Sequence, residues 1–336
     1  MSAGASSVLL APRSRFLGTG SFLPPVTRTN VELEALVDTN DAWIRERTGI
    51  RERRIAPEGM VTSDMAAEAA KLALAAAELP ASKLDLIVCA TISPDMPMPA
   101  TATFIQRKIG ATCAAFDIGA ACAGFIYGIT IADQFIAGGG AKNVLVVGVE
   151  LLSRVVNWSD RTTCVLFGDG AGAAVIGPAI SKDRGILGTR LYSDGSLAES
   201  LMIPGGGSAE VMDEARVKGR RNTIHMKGQD IFKSAVRNLH SASQDLVDSL
   251  GLTNDAIDWV LPHQANTRII DQVVARAQYP KHKVLTNIER VGNTSSASIP
   301  ILLDERVRDG TIKPGDLVLT CALGAGLSWG AGLIRM

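Results

Sequence analysis

Apolar positions along the chain follow two rhythms. Short, nearly continuous apolar runs such as LDLIVCATIS (84–93) and VLVVGVE (144–150) read as buried strands. Longer stretches, such as Ala-rich 64–79 and 230–250, carry helical patterns. The two kinds alternate along the chain, which predicts an α/β protein.

The landmarks occur twice in the same order. FLGTGS at 16–21 is echoed by ILGTRL at 186–191, the strand-like run at 84–93 by IDWVLPHQAN at 257–266, and VLVVGVE by LVLTCALG at 317–324. The interval from 16 to 84 is 68 residues and that from 186 to 257 is 71; from 16 to 144 it is 128, and from 186 to 317 it is 131. Matching intervals imply duplication of one α/β unit, with halves at 1–182 and 183–336 joined near GPAISKDR (177–184). Two such units packed together give a layered structure whose central interface is a natural place for an active site. The stretch 193–222, rich in Gly, Ser and charge, reads as a long surface excursion, either a lid or binding loop or a tolerated insertion.

Composition narrows the class. Aromatics make up only 4% of 336 residues, so a core of Ala, Val, Ile, Leu and Gly must pack closely. Lys plus Arg (34) balances Asp plus Glu (34), which argues against a nucleic-acid partner and makes any anion site local. Five cysteines without a CxxC pair suggest a reducing compartment, and four histidines without a HExxH pattern give no metal signature. No apolar run reaches a membrane span. The N-terminal MSAGASSVLLAPRSRF is expected to be a loose leader, and the protein to be cytoplasmic.

Three residues stand out chemically. Cys122 lies where the strand-like FDIG passes into a helical pattern, among small neighbours that admit a substrate. A helix N-terminus there would favour the nucleophilic thiolate, although AACAGF alone also fits a packed core cysteine. His263 leaves an apolar run in WVLPHQAN, at a strand end where α/β folds place catalytic groups. Asn293, after Gly292 in RVGNTSSASIPILL, is either an oxyanion donor or an ordinary turn or cap residue. The glycine turn in CALGAGLSWGAGLIRM could aim backbone N–H groups at an oxyanion, or join two close-packed strands.

Taken in order, GAACAGF, PHQAN, GNTSSASIP and GAGLSWG, with WIRERTGIRERRI (43–55) and LFGDGAGA (166–173), resemble the β-ketoacyl-acyl-carrier-protein synthase III family from about residue 13 onward. The resemblance implies a thiolase-like, duplicated, layered αβαβα fold. It also implies decarboxylative condensation of an acyl-CoA primer with malonyl on acyl carrier protein, initiating type II fatty acid synthesis. Cys122 matches the acylated nucleophile, and His263 and Asn293 match the pair that engages the malonyl thioester. The backbone N–H groups of Cys122 and Ala325 match the oxyanion hole, Ala325 standing where the family typically has the middle of three glycines. Trp43, Arg47 and Arg161 match contacts to coenzyme A, Arg268 a basic position at the tunnel mouth, and Gln229 a position often occupied by Asn. Met98 matches a residue that limits the acyl pocket across a homodimer interface. No metal and no cofactor beyond the acyl-CoA and carrier-bound substrates is implied. Lys233, Arg237, Arg268 and Arg276 are candidates for a basic patch facing an acidic carrier, or simply a solvated helix face.

His263 and Asn293 separate this pattern from its relatives. Thiolases typically carry Asn-Glu-Ala-Phe at 263–266 and a second catalytic cysteine; Cys321 precedes the glycine turn in an apolar run and reads as core. Elongating ketosynthases pair the cysteine with two histidines. The remaining alternatives are a related starter enzyme of secondary metabolism, a non-catalytic acyl-CoA-binding protein and a thioester hydrolase.

Overall fold

A computed structural model describes residues 12–181 and 184–336. Residues 1–11 of the expected leader and the boundary at 182/183 lie outside the described residues, and the end of that leader, Ser14–Phe16, is not loose but belongs to the first strand. Nine strands form the two principal sheets: β1 (Ser14–Phe22), β2 (Leu86–Ala90), β3 (Ala114–Ile118), β4 (Val144–Glu150), β5 (Gly170–Pro178), β6 (Gly185–Ser193), β7 (Trp259–Pro262), β8 (Leu317–Gly324) and β9 (Ser328–Arg335).

The first sheet has the order β1-β5-β4-β2-β3 and the second β6-β9-β8-β7. Pairing also matches: β1/β5 and β5/β4 are antiparallel and β4/β2 parallel, while β6/β9 and β9/β8 are antiparallel and β8/β7 parallel. The echoed segments of the sequence occupy corresponding strands. Only β3 lacks a counterpart.

Five longer helices complete the layers: α1 (Thr62–Ala76), α2 (Gly124–Ala137), α3 (Gly228–Ser249), α4 (Thr267–Ala277) and α5 (Ser298–Arg308). Helix α1 covers the outer face of the first sheet, and α3 packs on the outer face of the second, with α4 beside it. Between the sheets lie α2 and α5, whose Phe125, Ile126, Ile129, Ile299 and Leu302 share one core cluster with Val88, Val146 and Val318. Burial of each large side chain there contributes about 1.5–3 kcal/mol. The result is the expected five-layer αβαβα arrangement.

Close approach compensates for the scarcity of aromatics. Helix α1 presents Ala66, Ala69, Ala70 and Ala73, all buried, and alanine is also the strongest helix former. Its backbone rests directly on β1, where a methyl on Gly20 would lie 2.3 Å from the Ala69 carbonyl oxygen. We therefore expect Gly20→Ala to destabilise the fold by about 1–3 kcal/mol through overpacking. Gly195→Ala, where no atom lies within 4 Å of the added carbon, should shift urea unfolding by less than about 0.5 kcal/mol.

Candidate active site

Two tight turns meet at the carboxyl ends of the parallel strands. The first, Ala121–Ala123, leads into α2, and the second, Ser295–Ala297, leads into α5. Each starts in the left-handed region with a residue other than glycine: Ala121 at φ 44° and Ser295 at φ 48°. Such conformations persist where surrounding packing enforces them, and they cluster at functional sites. Duplication has thus built one elbow twice, with Cys122 and Ser296 in corresponding places.

Cys122 is 8% exposed and touches a cavity of ≈ 210 Å³ shared with Ser295 and Ala325. The end of β8 runs against its backbone, since a methyl on Gly324 would sit 2.5 Å from the Cys122 nitrogen. This contact sets the two expected oxyanion donors, the Cys122 and Ala325 N–H groups, in neighbouring segments around the cavity. The expected thiolate is not the resting form. Burial pushes the thiol up to about 12, well beyond the lowering by the Ser295 hydroxyl, and the nearby Glu150 carboxylate adds a lesser rise. Desolvation therefore outweighs the helix N-terminus.

His263 follows β7 and is 4% exposed. Its N–H donates to the Cys321 carbonyl at 2.8 Å, fixing it beside β8. Its Nδ1 lies 2.6 Å from the Ser298 hydroxyl at the start of α5, and that oxygen also accepts the Gln264 N–H at 3.4 Å. Where Ser298 gives its proton to Nδ1, the ring proton sits on Nε2. Nε2 is buried without a hydrogen-bond partner among the described residues. Burial holds the imidazole neutral, pushing it down to about 3. Gln264 serves as a clasp: its amide nitrogen donates to the Pro262 carbonyl at 2.7 Å, and its oxygen accepts from the Asn287 N–H at 3.1 Å.

Asn293 enters the second elbow and is 6% exposed. Its side-chain oxygen accepts the Ser295 N–H at 2.8 Å, which turns its NH₂ away as a donor. Its backbone bridges to Phe167 in the LFGDGAGA segment. In that segment Asp169 is buried and accepts from the Ala56 and Ser153 N–H groups at 2.7 and 2.8 Å. The motif thus ties the elbow to the strand Glu52–Ile55, where fully buried Arg53 donates to Asn30 and to the Val165 carbonyl.

The cavity wall is apolar and includes Ile92, Leu152, Phe167, Leu201, Ile203 and Ile224. Leu201 and Ile203 belong to the 193–222 excursion, and Leu201–Met202 pairs with His225–Met226 just beyond it. Part of that excursion is therefore cavity wall, while its middle, around the short helix Glu214–Lys218, is solvent-facing. Met98 is not part of this wall in its own chain and is 84% exposed; the contact expected of it lies across a homodimer interface. Ile92, Leu201, Ile203 and Ile224 went unnoticed in the sequence, as did Glu150, Ser295 and Ser298; the order of GNTSSASIP is the only sequence signal that points to any of these.

The remaining candidates lie nearer the surface. Arg161 places its guanidinium 5.3 Å from the Trp43 ring centroid, and its NH₂ donates to the Asp38 carbonyl at 2.8 Å. The helix carrying Trp43 and Arg47 (Asp41–Thr48) is latched to the start of α4, where Asn266 donates to the Arg47 carbonyl at 3.1 Å and Thr267 to that of Thr48 at 2.9 Å. Arg268, in the first turn of α4, lies 5.9 Å from the Phe232 ring of α3. Gln229 is exposed at the start of α3, and Lys233, Arg237 and Arg276 are exposed as well.

A duplicated five-layer fold with a buried cysteine at the elbow between its halves defines a thiolase-fold acyltransferase. Family models described as 3-oxoacyl-[acyl-carrier-protein] synthase III match residues 116–195 and, for the C-terminal part, 247–336. A β-ketoacyl-[acyl-carrier-protein] synthase III of Caldanaerobacter subterraneus subsp. tengcongensis is 50% identical over 320 residues, covering 95% of this chain and 96% of the relative. The crystal structure of 3-oxoacyl-[acyl-carrier-protein] synthase III from Aquifex aeolicus superposes with a TM-score of 0.89 at 47% identity, over 96% of this chain and 100% of the other. The priming β-ketosynthase of the R1128 polyketide pathway superposes with a TM-score of 0.88 at 35% identity, over 97% and 98%. The chain belongs to the β-ketoacyl-acyl-carrier-protein synthase III family.

The neutral histidine has a thermodynamic signature. Below its ordinary value of 6.5 the unfolded chain binds a proton that folded His263, held near 3, refuses. Stability contributed by this group is complete above pH 6.5 and falls as pH drops towards 3. Between pH 7 and pH 5 the parent should lose about 2 kcal/mol more than His263→Gln in denaturant unfolding.

Proposed function

We propose that this chain condenses an acyl-CoA primer with malonyl carried on acyl carrier protein, releasing CO₂ and CoA and priming type II fatty acid synthesis. The reading is supported by a buried thiol at the first elbow, a carboxamide whose NH₂ is left free at the entry to the second, and a neutral imidazole hydrogen-bonded to Ser298 where the second leads into α5. The Cys122 thiol attacks the acyl-CoA carbonyl and CoA leaves, so the primer becomes a cysteine thioester lying in the apolar cavity. His263 Nε2–H and Asn293 NH₂ then donate to the malonyl thioester oxygen, so loss of CO₂ leaves a stabilised enolate. Its carbon attacks the acyl-Cys122 carbonyl, whose oxyanion is held by the Cys122 and Ala325 N–H groups. The sequence is redox-neutral and uses only the two thioester substrates.

Around this core we propose that Trp43 and Arg161 part to take the coenzyme A adenine, with Arg47, Gln229 and Arg268 along the approach. Lys233, Arg237, Arg268 and Arg276 would meet an acidic carrier protein. A homodimer, in a cytoplasmic setting, would let exposed Met98 reach the partner's acyl pocket; β3, at the edge of its sheet, is open to pairing. No described helix is long and apolar enough to cross a membrane. A secondary-metabolism starter role is not favoured, since the Caldanaerobacter and Aquifex synthases III, at 50% and 47% identity, are nearer in sequence than the R1128 enzyme at 35%.

Steady-state condensation with a panel of acyl-CoAs differing in length and branching tests the reading and identifies the primer. Free acid in place of a β-keto product would instead mark a hydrolase. Radiolabelled acetyl-CoA should leave denaturation-stable label on Cys122 and none on Cys122→Ala. Asn293→Ala should still take that label yet decarboxylate malonyl carrier about 10²–10³-fold more slowly; decarboxylation at the parental rate would remove Asn293 from the mechanism.

A further inference from the structure

Ser298, the first residue of α5, is buried at 1% exposure. Among the described residues its hydroxyl meets only the Gln264 N–H, whose bond it accepts at 3.4 Å, and His263 Nδ1, at 2.6 Å. Either partner of the shorter contact can supply the proton between them, and the choice decides what His263 can do. A hydroxyl has one proton and two lone pairs, and a neutral imidazole has one N–H and one bare nitrogen. If Nδ1–H donated to Ser298, the hydroxyl oxygen would accept twice and its own proton would lack an acceptor. The bare Nε2, buried with no partner among the described residues, would be a second unmet group. If Ser298 donates to Nδ1, the hydroxyl is satisfied on both counts and only an Nε2–H is left over. Unmet polar groups in a dry interior are costly and rare, so the arrangement with one orphan prevails over that with two.

We propose that Ser298 is a positioning residue that acts through His263: by donating to Nδ1 it fixes the imidazole as an Nε2–H donor and withholds it from service as a base. The inference rests on His263 being the donor to the malonyl thioester. With the Nδ1 lone pair engaged and the proton on Nε2, the resting ring offers no free basic nitrogen to the Cys122 thiol. Its part is then confined to the decarboxylation half-reaction, where Nε2–H gains a partner, the thioester oxygen, that the resting site lacks. The main chain grips the same residue, since the His263 N–H is bonded to the Cys321 carbonyl and the Gln264 side chain bridges Pro262 and Asn287. The second elbow thereby sets both donors. The Ser295 N–H at its start orients the Asn293 carboxamide, and the Ser298 hydroxyl just beyond its end orients the imidazole. Ser298 only holds a hydrogen bond; no proton is transferred through it.

The test begins with nitrogen NMR of the full chain carrying isotope-labelled histidine. The His263 ring is picked out from the four histidines by its loss in His263→Gln. At neutral pH the parent should show a protonated Nε2 and an unprotonated, hydrogen-bonded Nδ1; a proton on Nδ1 overturns the proposal. Ser298→Ala is then compared with the parent in two half-reactions. Decarboxylation of malonyl carrier should slow about tenfold, the worth of one lost hydrogen bond, while single-turnover acylation by radiolabelled acetyl-CoA stays within about threefold. Decarboxylation at the parental rate refutes the positioning role. Equal loss of both half-reactions marks Ser298 as merely structural and refutes it too. Should Ser298→Ala not fold, the tautomer in the parent decides alone. A parent that carries its proton on Nε2 yet does not decarboxylate malonyl carrier would instead sink the reading of His263 as the thioester donor, and the role of Ser298 with it.

Discussion

The packing of one helix-entry elbow against the other is the constraint on which the site depends. Helices α2 and α5 run between the sheets, and their first turns meet because nothing bulky stands between them. A methyl on Gly124 would come within 2.7 Å of the Ala90 side chain and 3.4 Å of that of Ser296, and one on Gly148 within 2.3 Å of the Ser296 carbonyl oxygen. At the start of the two elbows Ala121 and Ser295 lie in the left-handed region, at φ 44° and 48°. The strain is local and small, of order 1–3 kcal/mol at each residue, and the core between the sheets sustains it.

Meeting in this way forces the reacting groups into a dry space. Burial raises the proton affinity of Cys122 and Glu150 and lowers that of His263. All three are thereby driven towards their uncharged forms, and for Glu150 the surrounding hydrogen-bond donors work against this. A neutral imidazole with its proton on Nε2 suits hydrogen-bond donation to a thioester oxygen. A protonated thiol requires somewhere for its proton to go. The same desolvation therefore favours one half of the chemistry and opposes the other.

The surroundings divide by depth. The inner cavity is bounded by aliphatic side chains from segments far apart in the chain, among them Leu201 and Ile203 beyond the second sheet's first strand. Nearer the surface, Trp43, Arg161 and Arg268 offer stacking faces and positive charge. An amphipathic thioester with an acyl end and an anionic end fits that gradient.

Much of the fold was legible because strands, helices and their repetition are written in local hydrophobic patterns. The doubled landmarks fall on corresponding strands because each unit must solve the same burial problem. Cys122, His263 and Asn293 could be found because their neighbours, small residues, a Pro–His step and a Gly–Asn step, serve the elbow and strand-end geometry. Tertiary structure alone decided the charge state of the sulfur, since a local helix N-terminus argued for thiolate and burial reversed it. It alone joined Ser295 to Glu150, 145 residues away, and Ser298 to His263, 35 residues away. It also turned part of a loop-like, Gly-rich stretch into cavity wall. Sequence pattern reports what each segment buries, whereas hydrogen-bond partners, desolvation and cavity shape are properties of segments brought together, and no single segment encodes them.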